Sequence, residues 1–172
     1  MAAIIIRPFF CSCFESVKKI FAFSPDMHYL RGAKLTEEAG MKEREDVIFD
    51  RNVVEFVTVA AEYCRFLEGS EGAVRNDFVD TLLKLLPLLY LKGSLLPECE
   101  WAADADDDLE TFVVEEDYEV LRLTVDDVMG RYDDYLDVFV SDMKYSDTPI
   151  CKTISEDLAD IWQDMKNFVC QF

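Results

Sequence analysis

Three aspartates near the end of the chain, Asp157, Asp160 and Asp164, are spaced three and four residues apart. On a helix that spacing puts their carboxylates on one face. All-helical magnesium-dependent nucleotide hydrolases use carboxylates at such spacings on facing helices. The same acids also fit the solvated back of an amphipathic helix, opposite Leu158 and Ile161. Like charges four apart, such as Glu156 and Asp160, cost only a few tenths of a kcal/mol, roughly. That is little enough to need no function, so the plainer expectation assigns no catalytic residue.

A second acidic constellation lies in Glu98–Glu119, with eleven acidic residues in twenty-two and no basic one. Asp104, Asp106, Asp108 and Glu115 fall at positions 1, 3, 5 and 12 of a calcium-loop pattern. Leu109 stands where that loop needs a glycine for its sharp turn, and Pro97 ends any helix that would lead into Asp104. The match is weak, and a solvated acidic loop is the expectation. No metal and no cofactor is assigned.

The lone histidine, His28, precedes all of this. Everything after it lacks the residue that a Ser-His-Asp triad, a Cys-His pair, a zincin or a Glu-x-x-His di-iron site requires. The six cysteines, Cys11, Cys13, Cys64, Cys99, Cys151 and Cys170, contain no C-x-x-C pair. Reduced thiols, mostly packed as small hydrophobes, are expected. Gly69-Ser70-Glu71-Gly72 is followed by no Lys-Ser/Thr, so it is a turn and not a phosphate loop.

The elements that position these residues read as helices. Val53–Glu68 repeats apolar residues at three and four (Val53, Phe56, Val57, Ala60, Cys64, Leu67), with Asn52 as cap and Glu55 at the reciprocal capping position. Asp77–Pro97 is rich in leucine nearly all round. Its longest apolar run, Leu85–Leu91, has seven residues between two lysines, far short of the ~18 a membrane span needs. It is expected to be the buried central helix, capped by Asn76 and kinked at Pro87. A third helix fits Glu115–Met129, with Tyr118, Leu121, Val125 and Val128 forming its face, acids at its start and Gly130 at its end. A fourth fits Arg131–Lys144, with Tyr132, Tyr135, Leu136, Phe139 and Met143 on one side. The last begins at Thr153 with Glu156 completing a capping box, and Leu158, Ile161, Met165, Phe168 and Phe172 step along it. No segment reads as a strand. The expected fold is all-α, an up-and-down bundle of about five helices.

The 172 residues suit one domain. The net charge of −19 is uneven: residues 1–40 sum to +1 and residues 41–172 to −20. Such a surface repels phosphate backbones and anionic lipid heads, so neither nucleic acid nor membrane is an expected partner of the folded part. Composition changes at Met41, where MKERED begins. Residues 1–40 are expected to be an extension outside the packed domain, and they make a poor signal peptide. The domain is expected over 41–172, and the last helix stops without a closing cap, as it would if the chain were cut short or if its final apolar turn docked elsewhere.

The phrases NVVEFVTVAAEYCRFLE, FVDTLLKLLPLLYLKGSLLPE, EEDYEVLR, DDYLDVFVSDMKYSDTPI and TISEDLADIWQDMKNFV resemble one bacterial family, the domain of unknown function numbered 5063. The resemblance runs from about Asp50 to Val169 at the level of whole helices. It implies an all-helical cytoplasmic domain with no assigned activity, and it carries no catalytic residue over. Two function classes follow. One is a non-catalytic acidic helical module that binds or regulates a protein partner; its charge permits a basic one, though solubility alone also explains the acidity, and aromatics such as Trp101 or Tyr145 are candidate anchors or packing residues. The other is a magnesium-dependent hydrolase using Asp157, Asp160 and Asp164.

Overall fold

The computed structural model describes residues 48–97, 111–137 and 150–172. Among these are four α-helices and one two-stranded sheet: α1 (Arg51–Glu68), α2 (Arg75–Gly93), α3 (Glu115–Met129), β1 (Asp134–Asp137), β2 (Ile150–Thr153) and α4 (Ile154–Gln171). The fold is predominantly helical. Met41, His28, Trp101, Asp104, Asp106, Asp108 and Tyr145 lie outside the described residues, as do Cys11, Cys13 and Cys99.

α1 is capped two residues earlier than Asn52. The Asn52 amide donates to Asp50 Oδ1 at 2.8 Å, so Asp50 is the cap. Glu55 does not turn back to the cap. It accepts from Arg51 at 2.7 Å and from Lys92 of α2 at 2.5 Å, joining the two helices. Val53, Phe56, Ala60, Tyr63, Cys64 and Leu67 form the buried face. The chain then turns at Gly69–Gly72, where Ser70 donates both its amide and its hydroxyl to the Leu67 carbonyl. Gly72 has φ 69°, a left-handed conformation that a side chain would strain.

α2 starts after Val74 with no side-chain cap, so Asn76 lies inside the helix, and it runs through Pro87 to Gly93. Its inner face, Phe78, Leu82, Leu86 and Leu89, packs mainly on α1, with Phe78 stacked on Phe66 at 5.4 Å. Its outer face does not match the expected central position. Leu83, Leu88 and Leu91 of the helix are exposed, as is Leu95 beyond it. Among the described helices the inner places belong to α1, which packs against α2 and α4, and to α4, which packs against α1 and α3. Phe168 meets Phe56 at 5.1 Å, and the buried Tyr63 hydroxyl donates to the Leu158 carbonyl at 3.0 Å. Trp162, Ala159 and Met165 complete that face.

The helix expected over Arg131–Lys144 is not formed in its described part. Gly130, at φ 53°, ends α3 and a single 3-10 turn, Gly130–Tyr132, follows. Residues 134–137 then pair antiparallel with β2, Tyr135 opposite Lys152 and Leu136 opposite Cys151. The spacing of Tyr132, Tyr135 and Leu136 suits a helix, but pairing with a distant segment overrides local preference here. The extended path also frees Asp133 to serve α4.

Among the described residues no helix is long and apolar enough to cross a membrane.

Candidate functional site

The start of α4 gathers most of the polar groups that the sequence marked for chemistry. A helix begins with amides that have no partner within the helix. The β1–β2 hairpin brings Asp133 to meet them. Its carbonyl accepts from the Ile154 amide at 3.0 Å, and its Oδ1 accepts from the Ser155 amide at 2.8 Å. The Thr153 hydroxyl accepts from the Glu156 amide at 3.3 Å, which is one half of the capping box read from the sequence. Asp133 Oδ2 also accepts from the Ser155 hydroxyl at 2.6 Å. Asp133 and Ser155 are both buried, and the positive end of the helix stabilises the carboxylate there. A serine bonded to an aspartate suggests a nucleophile. Ser155 is fully inaccessible and no histidine is among the described residues, so the pair is described as a cap.

Asp157, Asp160 and Asp164 sit on the same helix in three different situations. Asp157 is buried and accepts a short hydrogen bond from the Tyr135 hydroxyl, supplied by β1. Asp160 is half-buried and accepts from the Tyr118 hydroxyl of α3 at 2.8 Å. Asp164 is half-buried one turn further on. The expected solvated back of α4 is thus corrected at Asp157 and Asp160. Two tyrosines from neighbouring elements cover these acids, and each hydroxyl lowers the cost of burying a carboxylate. Burial, and then the bond to Asp160, push the Tyr118 phenol well above its ordinary range, so it stays protonated and donating. What this arrangement does chemically is hold α3, the hairpin and α4 in register. Among the described residues, no three carboxyl, thiol or imidazole groups are gathered as a metal ion would need. Glu115, the last position of the calcium-loop pattern, is the exposed first residue of α3.

Sequence reasoning missed Asp133, Ser155, Tyr118 and Tyr135 as partners of this centre. The hydrophobic spacing showed the two tyrosines only as members of apolar faces.

Elsewhere on α4, Glu68 at the end of α1 accepts from Trp162 Nε1 at 3.1 Å and from Lys166 Nζ at 2.8 Å. Asn167 Oδ1 accepts from the Phe112 and Val113 amides at 2.8 and 3.0 Å, fixing the stretch of chain that enters α3. The Cys64 thiol lies inside the same seam, and burial pushes it up to about 12. It is an inert packing group.

Beyond that segment α3 turns a mixed face outward. Val120 and Leu123 are 66% and 53% exposed, in line with Glu116 and Asp127 on one stripe of the helix. Phe112 and Val114 are exposed just before it.

The family described as Domain of unknown function (DUF5063) matches residues 47–172. The chain belongs to this family. Its fold is shared with the crystal structure of protein BF1032 from Bacteroides fragilis, which is 53% identical, with a TM-score of 0.61 over 73% of this chain and 71% of that one. None of the curated proteins matches. For a member of this family the polar centre under α4 therefore has to be interpreted from its own geometry, which is that of a structural junction.

Proposed function

We propose that this chain is a cytoplasmic, non-catalytic module that binds or regulates a protein partner of basic character. The outward face of α3 carries the reading. Val120 and Leu123 offer apolar area in open solvent, and Glu115, Glu116, Asp117 and Asp127 surround it with exposed acids. A basic amphipathic segment would be steered there by charge and held by apolar contact. The net charge of −20 over residues 41–172 favours such a partner over nucleic acid or an anionic membrane surface.

The magnesium-dependent hydrolase is the weaker reading. Two of its three carboxylates, Asp157 and Asp160, already accept tyrosine hydroxyls, and Asp157 is only 9% exposed.

The test is capture of partners from the protein's own cells by the full chain and by Leu123→Asp, at low and high salt. A basic protein retained at low salt, released at high salt and lost from Leu123→Asp is expected. If no basic protein is retained, and a phosphohydrolase screen finds magnesium-dependent turnover abolished by Asp160→Asn, the enzyme reading replaces this one.

A further inference from the structure

The described arginines divide into two groups. Arg51, Arg65 and Arg122 each hold a carboxylate on their own helix, Glu55, Glu62 and Glu119, at 2.7, 2.6 and 2.9 Å. Arg75 and Arg131 hold none among the described residues. They come together instead on one ring. Arg75, the first residue of α2, lies with its Cζ 4.0 Å from the centre of the Tyr132 ring, and Arg131 lies 4.7 Å from it. Arg131 also donates to the Tyr132 hydroxyl at 2.6 Å. We propose that this cluster is a binding site for the dianionic phosphate of a small phosphomonoester. It uses none of the residues of the outward α3 face, and neither reading depends on the other.

The geometry leaves the donors available. A guanidinium over an aromatic ring is attracted through its charge and keeps its N–H fork for an acceptor. The Arg75 fork has no acceptor among the described residues. Arg131 gives one N–H to Tyr132 and keeps the rest, and the Tyr132 hydroxyl, which accepts that bond, has no acceptor there for its own proton. Contact with the ring also fixes the two forks before a ligand arrives, which lowers the ordering cost of binding. The backbone sets this up. Gly130, at φ 53°, turns the chain out of α3, and the 3-10 turn Gly130–Tyr132 carries Arg131 and Tyr132 to the start of α2. Tyr132 is 46% exposed, Arg131 is exposed and Arg75 is half-buried, so an anion in solution can reach all three.

Charge selects the ligand. Two cations on one ring repel each other; a dianion held by both forks cancels both charges, and a single carboxylate cancels one. The wider surface limits the size. Residues 41–172 sum to −20, so nucleic acid or an anionic membrane is repelled along the rest of its length, while a small ester brings little beyond its phosphate. The acids nearest in sequence leave the cluster open. Asp133 is buried and engaged by Ser155, and neither Asp77 nor Asp134 is bonded to either arginine.

Phenyl phosphate titrated into the full chain at low salt tests the site, followed by calorimetry and by amide shifts in an isotope-labelled sample. Saturable one-to-one binding is expected, with the largest shifts at Arg75 and at Arg131–Asp133. Inorganic phosphate should compete. Acetate should bind more than ~tenfold more weakly, since it lacks the second charge. Arg75→Gln and Arg131→Gln should each weaken binding by more than ~tenfold, the usual weight of a charge-assisted hydrogen bond. Arg75→Lys, which keeps the charge and loses the fork, should weaken it as well. Arg65→Gln removes an arginine already paired with Glu62 and should change nothing. Thermal midpoints near that of the parent establish that each variant is folded. Absence of saturable binding overturns the proposal; that is also the result if acids of residues 98–110 cover the arginines. Binding indifferent to both Arg→Gln changes places the anion elsewhere and overturns it too. Acetate held as tightly as phenyl phosphate rules out a phosphate site, and a single-stranded oligonucleotide held more tightly than phenyl phosphate rules out a small ligand.

Discussion

α2 holds the longest leucine-rich run of the chain and lies at the rim; α4 carries Glu156, Asp157, Asp160 and Asp164 and lies between α1 and α3. Centrality therefore follows from how residues are distributed around a helix and not from how many are apolar. α4 keeps Leu158, Ala159, Trp162, Met165 and Phe168 on faces that meet two neighbours, and its buried acids are met by tyrosines and by its own positive end. α2 has leucines to spare. Phe78, Leu82, Leu86 and Leu89 satisfy the one large neighbour it has among the described residues, Leu85 is half-buried against the core, and Leu83, Leu88 and Leu91 are exposed.

The widest separation between the two helices should appear on truncation of their side chains. Phe168→Ala in α4 removes a buried ring against Phe56 and should cost about 3–5 kcal/mol. Leu88→Ala in α2 should stay within about 0.5 kcal/mol. Urea midpoints read both. Equal losses would mean that α2 is covered on both sides after all.

The hairpin junction is the next largest effect. Asp133→Ala would strip the Ser155 amide and hydroxyl of their acceptor inside the protein and should cost about 2 kcal/mol, within the range for a buried unsatisfied group or a lost cap. Asp133→Asn keeps one acceptor oxygen and should lose less. If the two variants are alike and mild, water reaches the junction, and α4 begins less firmly than its central place requires.

The apolar periods of α1, α3 and α4 were legible because each helix carries its face within its own sequence. The inner face of α2 was legible for the same reason. Its rank in the bundle was not, because a stripe of leucine reads alike whether a helix or water lies against it. The hairpin was hidden for a related reason. Residues 131–137 fit a helix locally, and what decides against it is Asp133 reaching Ser155, twenty-two positions away. The candidate site divides in the same way. Asp157, Asp160 and Asp164 are visible as a set, but Tyr118 lies 42 residues from Asp160 and no local pattern pairs them.

That pair gives a smaller and sharper test. Asp160→Asn and Tyr118→Phe should each cost about 0.5–1.5 kcal/mol, the usual worth of one hydrogen bond. The double variant should cost less than their sum, since each single change already breaks the shared bond. A solvated Asp160, as the sequence alone suggested, would give no coupling and almost no loss. A stabilising Asp160→Asn would instead mark carboxylates held together against their repulsion, the sign of a site kept for function.

The smallest effect measures how tightly the seam between α1 and α4 is closed. Cys64 is buried there, beside Lys166 and Glu68, and its thiol titrates near 12 in the folded chain against an ordinary 9.0. Between those values the folded state keeps a proton that the unfolded state has lost. Stability that depends on Cys64 is therefore complete below pH 9 and drains away as pH climbs toward about 12. Tyr63 and Tyr118, both pushed up chiefly by burial, add falls of the same sign. The difference between the parent chain and Cys64→Ala isolates the thiol. Any advantage of the parent at about pH 8 should shrink by about pH 11. In the folded protein at about pH 8, Cys64 should resist alkylation while the exposed Cys151 and Cys170 react. A constant difference across that range, or modification of Cys64 at the rate of Cys170, would mean that the seam opens readily. The contrast between a closed α4 and an open-faced α2 would then be one of degree.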